Sequence, residues 1–190
     1  MTAASKVGDM YEVELKVRAD HADVSERLGH LGATERDTVI QEDTYYDAPT
    51  RDFAETDEAL RIRREHPVGV DTWTTTVTYK GPLVESASKT REEIETTVAD
   101  GEALDAILDR LGFSPAATVE KTREHYRLGE YTVVLDTVEG LGEFVEIEGD
   151  APEEAYEAVR DGAAERLVEL GLDPDEQIRT SYLGMLLADA

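Results

Sequence analysis

The chain has 190 residues, of which 44 are Asp or Glu and 19 are Lys or Arg, so its formal charge is −25. Such a molecule does not bind nucleic acid through its overall field, because phosphate backbones are attracted to net positive surface. There is no Cys, which excludes disulfide and thiolate chemistry, and no stretch approaches the roughly 18 to 20 apolar residues of a membrane helix.

In chain order, residues 1–9 read as a short tail without an export signal, so a cytoplasmic location is expected. From Tyr11 to Arg18, apolar Tyr11, Val13, Leu15 and Val17 alternate with charged Glu12, Glu14, Lys16 and Arg18, the period of a strand. Asp20 is a helix N-cap, Val24, Leu28 and Leu31 share a helical face, and Gly32 is a stop. Strands are then predicted at about 37–46, 59–65, 71–80 and 90–98, a helix at 101–111, and strands at about 118–128, 131–138 and 143–148. The Gly129-Glu130 pair between alternating runs reads as a hairpin turn. Pro152 is expected to open a longer helix and about Gln177 to Leu187 a last short one. Eight strands with hairpin-length links and four helices predict one α+β domain over residues 1–190 with a mainly antiparallel sheet.

The polar face of these strands is unusual. There are 5 Lys and 14 Arg, and dense carboxylates with sparse Lys suggest adaptation to concentrated salt, the alternative being an ordinary acidic protein. Yet Lys16, Lys80, Lys121, Arg61, Arg63, Arg91 and Arg123 all fall on alternating strand rows. Each row taken singly fits the wet face of an open sheet. Together they fit a closed sheet with a polar, cation-bearing lumen. The carboxylates Glu12, Glu14, Asp136, Glu146 and Glu148 are hard oxygen ligands suited to Mg²⁺ or Mn²⁺, and Lys and Arg suit phosphate oxygens. A divalent ion and several cations around one site predict chemistry on a polyphosphate.

Glu12-Val13-Glu14-Leu15-Lys16 resembles the ExExK signature of the CYTH superfamily, which takes its name from class IV adenylate cyclases and thiamine triphosphatases. The order of Gln41 to Asp47, Leu60 to Arg64, Thr78 to Gly81, Arg91 to Glu95, Lys121 to Arg123, Leu135-Asp136, Gly140 to Glu148 and Ser181-Tyr182 carries the resemblance over residues 10–187. It implies an eight-stranded antiparallel β tunnel with helices packed outside, which binds triphosphate in its lumen. Glu12, Glu14, Asp136, Glu146 and Glu148 would hold metal. Lys16, Arg61, Arg63, Lys80, Lys121 and Arg123 would hold the triphosphate, and Glu12, Glu14, Lys16 and Lys80 would be catalytic. Arg91, Glu93 and Glu95 match a family row or form an internal ion-pair network.

The implied reaction is that of a class IV adenylate cyclase, ATP to cyclic AMP and pyrophosphate. The alternative is hydrolysis of thiamine triphosphate, another organic triphosphate or tripolyphosphate, and further from it stands a module that binds polyphosphate or a nucleotide without turnover. The sequence departs from the cyclases at Met10-Tyr11, where they tend to carry a His-Phe pair. The implied cofactor is Mg²⁺ or Mn²⁺ and the partner a small triphosphate, with no nucleic acid, no membrane, and a monomer or homodimer. Tyr45 and Tyr46 are expected to pack within strands, and Trp73 and the four His to be structural or surface residues.

Overall fold

The structure is a computed structural model that describes residues 10–83, 90–152 and 154–188; the predicted tail at residues 1–9 lies outside them. Its strands are β1 Met10–Arg18, β2 Thr34–Asp47, β3 Ala59–Pro67, β4 Thr74–Lys80, β5 Arg91–Val98, β6 Ser114–Leu128, β7 Tyr131–Val138 and β8 Gly142–Pro152. The helices are α1 His21–His30, α2 Phe53–Thr56, α3 Gly101–Arg110, α4 Tyr156–Glu169 and α5 Tyr182–Ala188, with a 3-10 turn at Pro174–Glu176. All eight strands pair antiparallel and close into a barrel in the order β1-β5-β4-β3-β2-β6-β7-β8.

The expected strands are present, with β2, β6 and β8 longer than their alternation indicated. Two helix expectations are corrected. Pro152 ends β8 instead of opening a helix, and α4 begins at Tyr156. The last helix begins at Tyr182, because residues before it run as an irregular strap after the 3-10 turn. The four-residue α2 has no apolar periodicity to announce it. Its Asp52 cap accepts from the backbone N–H of Ala54 and Glu55.

The core lies outside the barrel. Leu15 and Val17 of β1, Leu135 of β7 and Val145 and Ile147 of β8 face outward and pack on Val24 and Leu28 of α1 and Leu167 and Leu170 of α4. Leu108 of α3 covers Tyr46 and Ile62 on the far wall. Burying these alternate positions against helices turns the other face of each strand inward, since strand side chains change sides with period 2. The polar rows therefore face the lumen, and among the described residues closure leaves strand edge unpaired only along the β1–β5 seam. Among the described residues no helix is long and apolar enough to cross a membrane.

β1 meets β5 only through Tyr11 and Glu12. Beyond that short pairing the C-terminal strap takes over: the Ile178 N–H donates to the Lys16 carbonyl at 2.7 Å. This bond delivers α5 to one end of the barrel, where Tyr182 packs with Phe144, Val119 and Val138.

A charged tunnel as the candidate active site

One cavity of about 630 Å³ runs through the barrel. It is lined by Glu12, Glu14 and Lys16 of β1, Arg61 and Arg63 of β3, Lys80 of β4, Glu93 and Glu95 of β5, Lys121 and Arg123 of β6, and Glu146 and Glu148 of β8. Every proposed site residue but Asp136 is thus in its wall; Asp136 is fully buried just behind, bonded to Lys121 and Arg123. Among the described lining residues are eight Lys or Arg and ten carboxylates. The lumen is far richer in cations than the chain as a whole, but it is close to charge balance, which corrects the expectation of a locally cationic lumen.

The charges interlock in three groups. Asp43 of β2 faces Arg63, which donates to it from Nε at 2.6 Å and from Nη2 at 2.7 Å, and Arg61, whose Nη1 stands 3.5 Å away. Arg61 also donates to Thr78 Oγ1 at 3.1 Å, and Thr78 donates on to Glu95 at 2.7 Å. On the opposite wall Asp136 accepts from Arg123 at 2.8 and 2.6 Å and from Lys121 at 3.2 Å. Arg123 continues to Glu146 at 2.5 Å and to Glu148 at 3.1 Å. The third group joins Lys80 to Glu93, with Glu12 3.7 Å from the same ammonium. Lys16 stands 3.8 Å from Glu14 and 3.9 Å from Glu146.

Burial opposes the ionisation of Asp43, yet the two guanidinium groups of Arg61 and Arg63 outweigh it and hold its carboxyl well below the ordinary range. Arg123 and Lys121 do the same to Asp136. Two carboxylates go the other way. Burial, with Glu93 and Glu148 nearby, holds Glu12 well above the usual value despite Lys80. Burial, followed by the Glu146 and Glu14 charges, pushes Glu148 up to about 7 although Arg123 opposes. On the β1–β8 side of the lumen burial and neighbouring carboxyl groups therefore outweigh the cations, and Glu12 and Glu148 retain protons more readily than exposed carboxyls do.

Arg91 also lines the cavity, where it donates to the Asp57 carbonyl at 2.7 Å and carboxylate at 3.1 Å. With Glu93 on Lys80 and Glu95 on Thr78, this row forms the ion-pair network that was one of its two readings. Tyr45 packs beside the α5 cluster and Tyr46 is buried in the outer core, its hydroxyl donating to Asp105 at 2.6 Å. Trp73 stacks on His66, with ring centroids 4.3 Å apart, and lies under Arg64.

Four residues that sequence reasoning left without a role belong to the site: Gln41, Asp43, His125 and Tyr182. The first two share the inward face of β2 by alternation in the Gln41 to Asp47 run, a signal present in the sequence. Tyr182 had none beyond its place in the tail motif. Its ring lies 4.2 Å from Lys16 Nζ and 5.1 Å from Lys121 Nζ, with its edge against Phe144 at 4.9 Å. Cation–π contact of this kind holds flexible ammonium groups in place.

The sequence pattern of the CYTH domain matches residues 10–182. The chain belongs to the CYTH family. A Methanocaldococcus jannaschii protein, MJ0240, which carries the provisional name of an adenylate cyclase, is 41% identical over 176 residues, spanning 92% of this chain and 97% of the relative. The adenylate cyclase CyaB of Aeromonas hydrophila is 30% identical over 141 residues, 72% of this chain and 68% of that protein. Among solved structures, that of the PH1819 protein from Pyrococcus horikoshii OT3 is 40% identical with a TM-score of 0.87, covering 94% of this chain and 99% of that one. The CYTH tunnel is thus present here as a closed barrel, and the ExExK run occupies β1 with all three charged side chains in the lumen wall.

Whether the wall suits a divalent ion follows from its donors. Among the described residues no three carboxylate or imidazole groups converge into a ready-made cage. Mg²⁺ does not need one, since it takes one or two carboxylates and completes its shell with water and substrate phosphates. Glu14 faces Glu148 across the β1–β8 pairing, and Glu12 lies two residues along β1. These are hard oxygen ligands in the cavity wall, and they fit. Asp136 offers less, because both its oxygens already accept from Arg123 and Lys121.

Proposed function

We propose that the protein is a Mg²⁺- or Mn²⁺-dependent enzyme that binds a nucleoside triphosphate in the tunnel and converts ATP to cyclic AMP and pyrophosphate. The observation that carries the reading is the clustering in one cavity of eight of the chain's nineteen Lys and Arg. The adenylate cyclase names of the two sequence relatives support the choice of reaction.

A triphosphate carries about four negative charges at neutral pH, and a wall of eight cations and ten carboxylates cannot neutralise it alone. Glu12, Glu14 and Glu148 are the residues that would hold a divalent ion there, which when bound supplies Lewis-acid neutralisation of phosphate oxygens. Glu146 and Asp136 then act chiefly on Arg123, fixing its guanidinium toward the lumen. Arg61, Arg63 and Arg123 offer forked donors to phosphate oxygens, and Lys16, Lys80 and Lys121 offer point charges. Ligand oxygens replace carboxylates on these cations, so binding exchanges one set of ion pairs for another and needs no large movement of the barrel. When the ribose 3′ hydroxyl gives its proton to a carboxylate of the wall and its oxygen attacks the α-phosphorus in line, the bond to the β-phosphate oxygen breaks. The same cations stabilise the charge that gathers on departing pyrophosphate.

Hydrolysis is the second reading, and the specific observation in its favour is Met10-Tyr11 in place of His-Phe. In that case water replaces the ribose hydroxyl as nucleophile. A module without turnover would have no use for a surplus of carboxylates beside the phosphate cations.

Chromatography of the products formed from ATP with Mn²⁺ tests the reading. Cyclic AMP and pyrophosphate are expected in equal amounts. Phosphate release without cyclic AMP overturns the cyclase in favour of the hydrolase, and no turnover of ATP, thiamine triphosphate or tripolyphosphate overturns both.

A further inference from the structure

The tunnel wall is not uniform along β2, β3 and β6. Gln41 of β2 pairs with Lys121 on one side and Glu65 on the other, so a cation and a carboxylate flank it. Its side-chain Nε2 donates to Glu65 at 2.6 Å. That bond settles the orientation of the amide, because a carboxylate accepts only from the NH₂ side. Gln41 Oε1 is left as a buried acceptor with no partner, on a side chain only 2% exposed that lines the cavity. Buried acceptors without partners are rare, and each asks for a donor.

The surroundings sharpen what that donor is. Glu65 and His125 line the cavity too, and the Glu65 charge acts on the His125 ring. His125 is held toward its neutral form by burial and by Arg123. A fully ionised phosphate oxygen has no hydrogen to give Gln41 and is repelled by the Glu65 carboxylate beside it. An exocyclic amine or a sugar hydroxyl has one.

We infer that Gln41, oriented by Glu65, forms with His125 a subsite for the organic part of the substrate, which takes an N–H or O–H donor. The inference rests on the tunnel reading above and adds that the physiological substrate is a nucleoside or similarly donor-bearing triphosphate, not inorganic tripolyphosphate. The triphosphate lies among the cations, and the organic group extends past Gln41 toward Glu65 and His125. Gln41 discriminates between substrates in this arrangement, and its effect is on selectivity.

Calorimetric titration of ATP and of tripolyphosphate, each with Mn²⁺, into wild type and Gln41→Leu tests this. The ratio of ATP to tripolyphosphate affinity is expected to fall about tenfold in Gln41→Leu, the loss of one buried hydrogen bond. Gln41→Glu, which restores an acceptor oxygen, is expected to recover part of the ratio, a result that a purely packing role for Gln41 would not give. An unchanged ratio in Gln41→Leu overturns the subsite, as does an equal fall for both ligands. Failure of wild type to bind either ligand overturns instead the tunnel reading on which it rests. If Gln41→Leu does not fold, Glu65→Gln provides the second test: it removes the carboxylate that fixes the amide, and an unchanged ratio there overturns the subsite equally.

Discussion

At the scale of single residues, the site is governed by which carboxylates have cations and which do not. Asp43 and Asp136 are each held by two basic side chains and stay ionised, and their role is to aim Arg61, Arg63 and Arg123. Glu148 has Arg123, but burial and the charges of Glu146, Glu14 and Asp136 outweigh it, and it is pushed up to about 7. A carboxyl binds metal only when ionised, so metal binding must displace the Glu148 proton below that pH. Mn²⁺ affinity of the free protein is therefore expected to rise about tenfold from pH 6 to pH 8, measured by calorimetry, and to lose most of this dependence in Glu148→Gln. The same shift has the opposite sign for stability. A raised carboxyl pKa contributes stability that is complete below the unfolded value and is lost as pH rises through about 7, so metal-free protein loses this contribution over the range where it gains metal affinity. None of these partnerships was legible in the sequence. The types and spacing of Glu12, Arg61 or Glu148 were, because alternation puts them on one face, but that Asp43 is the hinge of two arginines depends on β2 lying beside β3, a contact that spacing along one strand does not encode.

At the scale of elements, helices hold the lumen open by covering the outside. α4 lies so close to β8 that a Cβ on Gly149 would stand 2.8 Å from Val159 Cγ1 and 3.2 Å from the Tyr131 ring. Both neighbours are packed and cannot withdraw freely. A strand glycine is ordinarily a weak point that Ala improves by about 0.5–1 kcal/mol. Here overpacking outweighs that gain, and Gly149→Ala is expected to destabilise by about 1–3 kcal/mol in urea unfolding, whereas a neutral or stabilising result would mean that α4 is free to lift. The strands themselves were largely readable because each keeps one apolar and one charged face for most of its length. Their ends were not: β2 runs back to Thr34 and β6 to Ser114 on the strength of pairing with each other, including register shifts between Glu35 and Thr38 and between Tyr45 and Tyr46. Pro152 misled because proline is as acceptable at the end of a strand as at the start of a helix.

At the scale of the whole molecule, net charge and local charge must be kept apart. The charge of −25 resides mainly on the outer surface, where it repels itself and is screened by salt, whereas the lumen is near balance. Raising NaCl from 0.1 to 1 M shortens the Debye length from about 10 to 3 Å, and Tm is expected to rise over that range, while an equally concentrated neutral osmolyte should reproduce only part of the gain. A Tm that falls with salt would show that attractive ion pairs dominate over the outer repulsion. Sequence composition conveyed the repulsion but not the balance inside, since the carboxylates Glu93 and Glu95 could equally have faced water. The charge balance also makes the central claim measurable. If the tunnel takes up a triphosphate only by adding divalent charge to a wall that lacks it, binding must require the metal. Calorimetric titration of tripolyphosphate into the metal-free protein, without and with Mn²⁺, decides this. The account predicts binding in the presence of Mn²⁺ that weakens by about tenfold or more without it, and equal binding in both, or none in either, would contradict it.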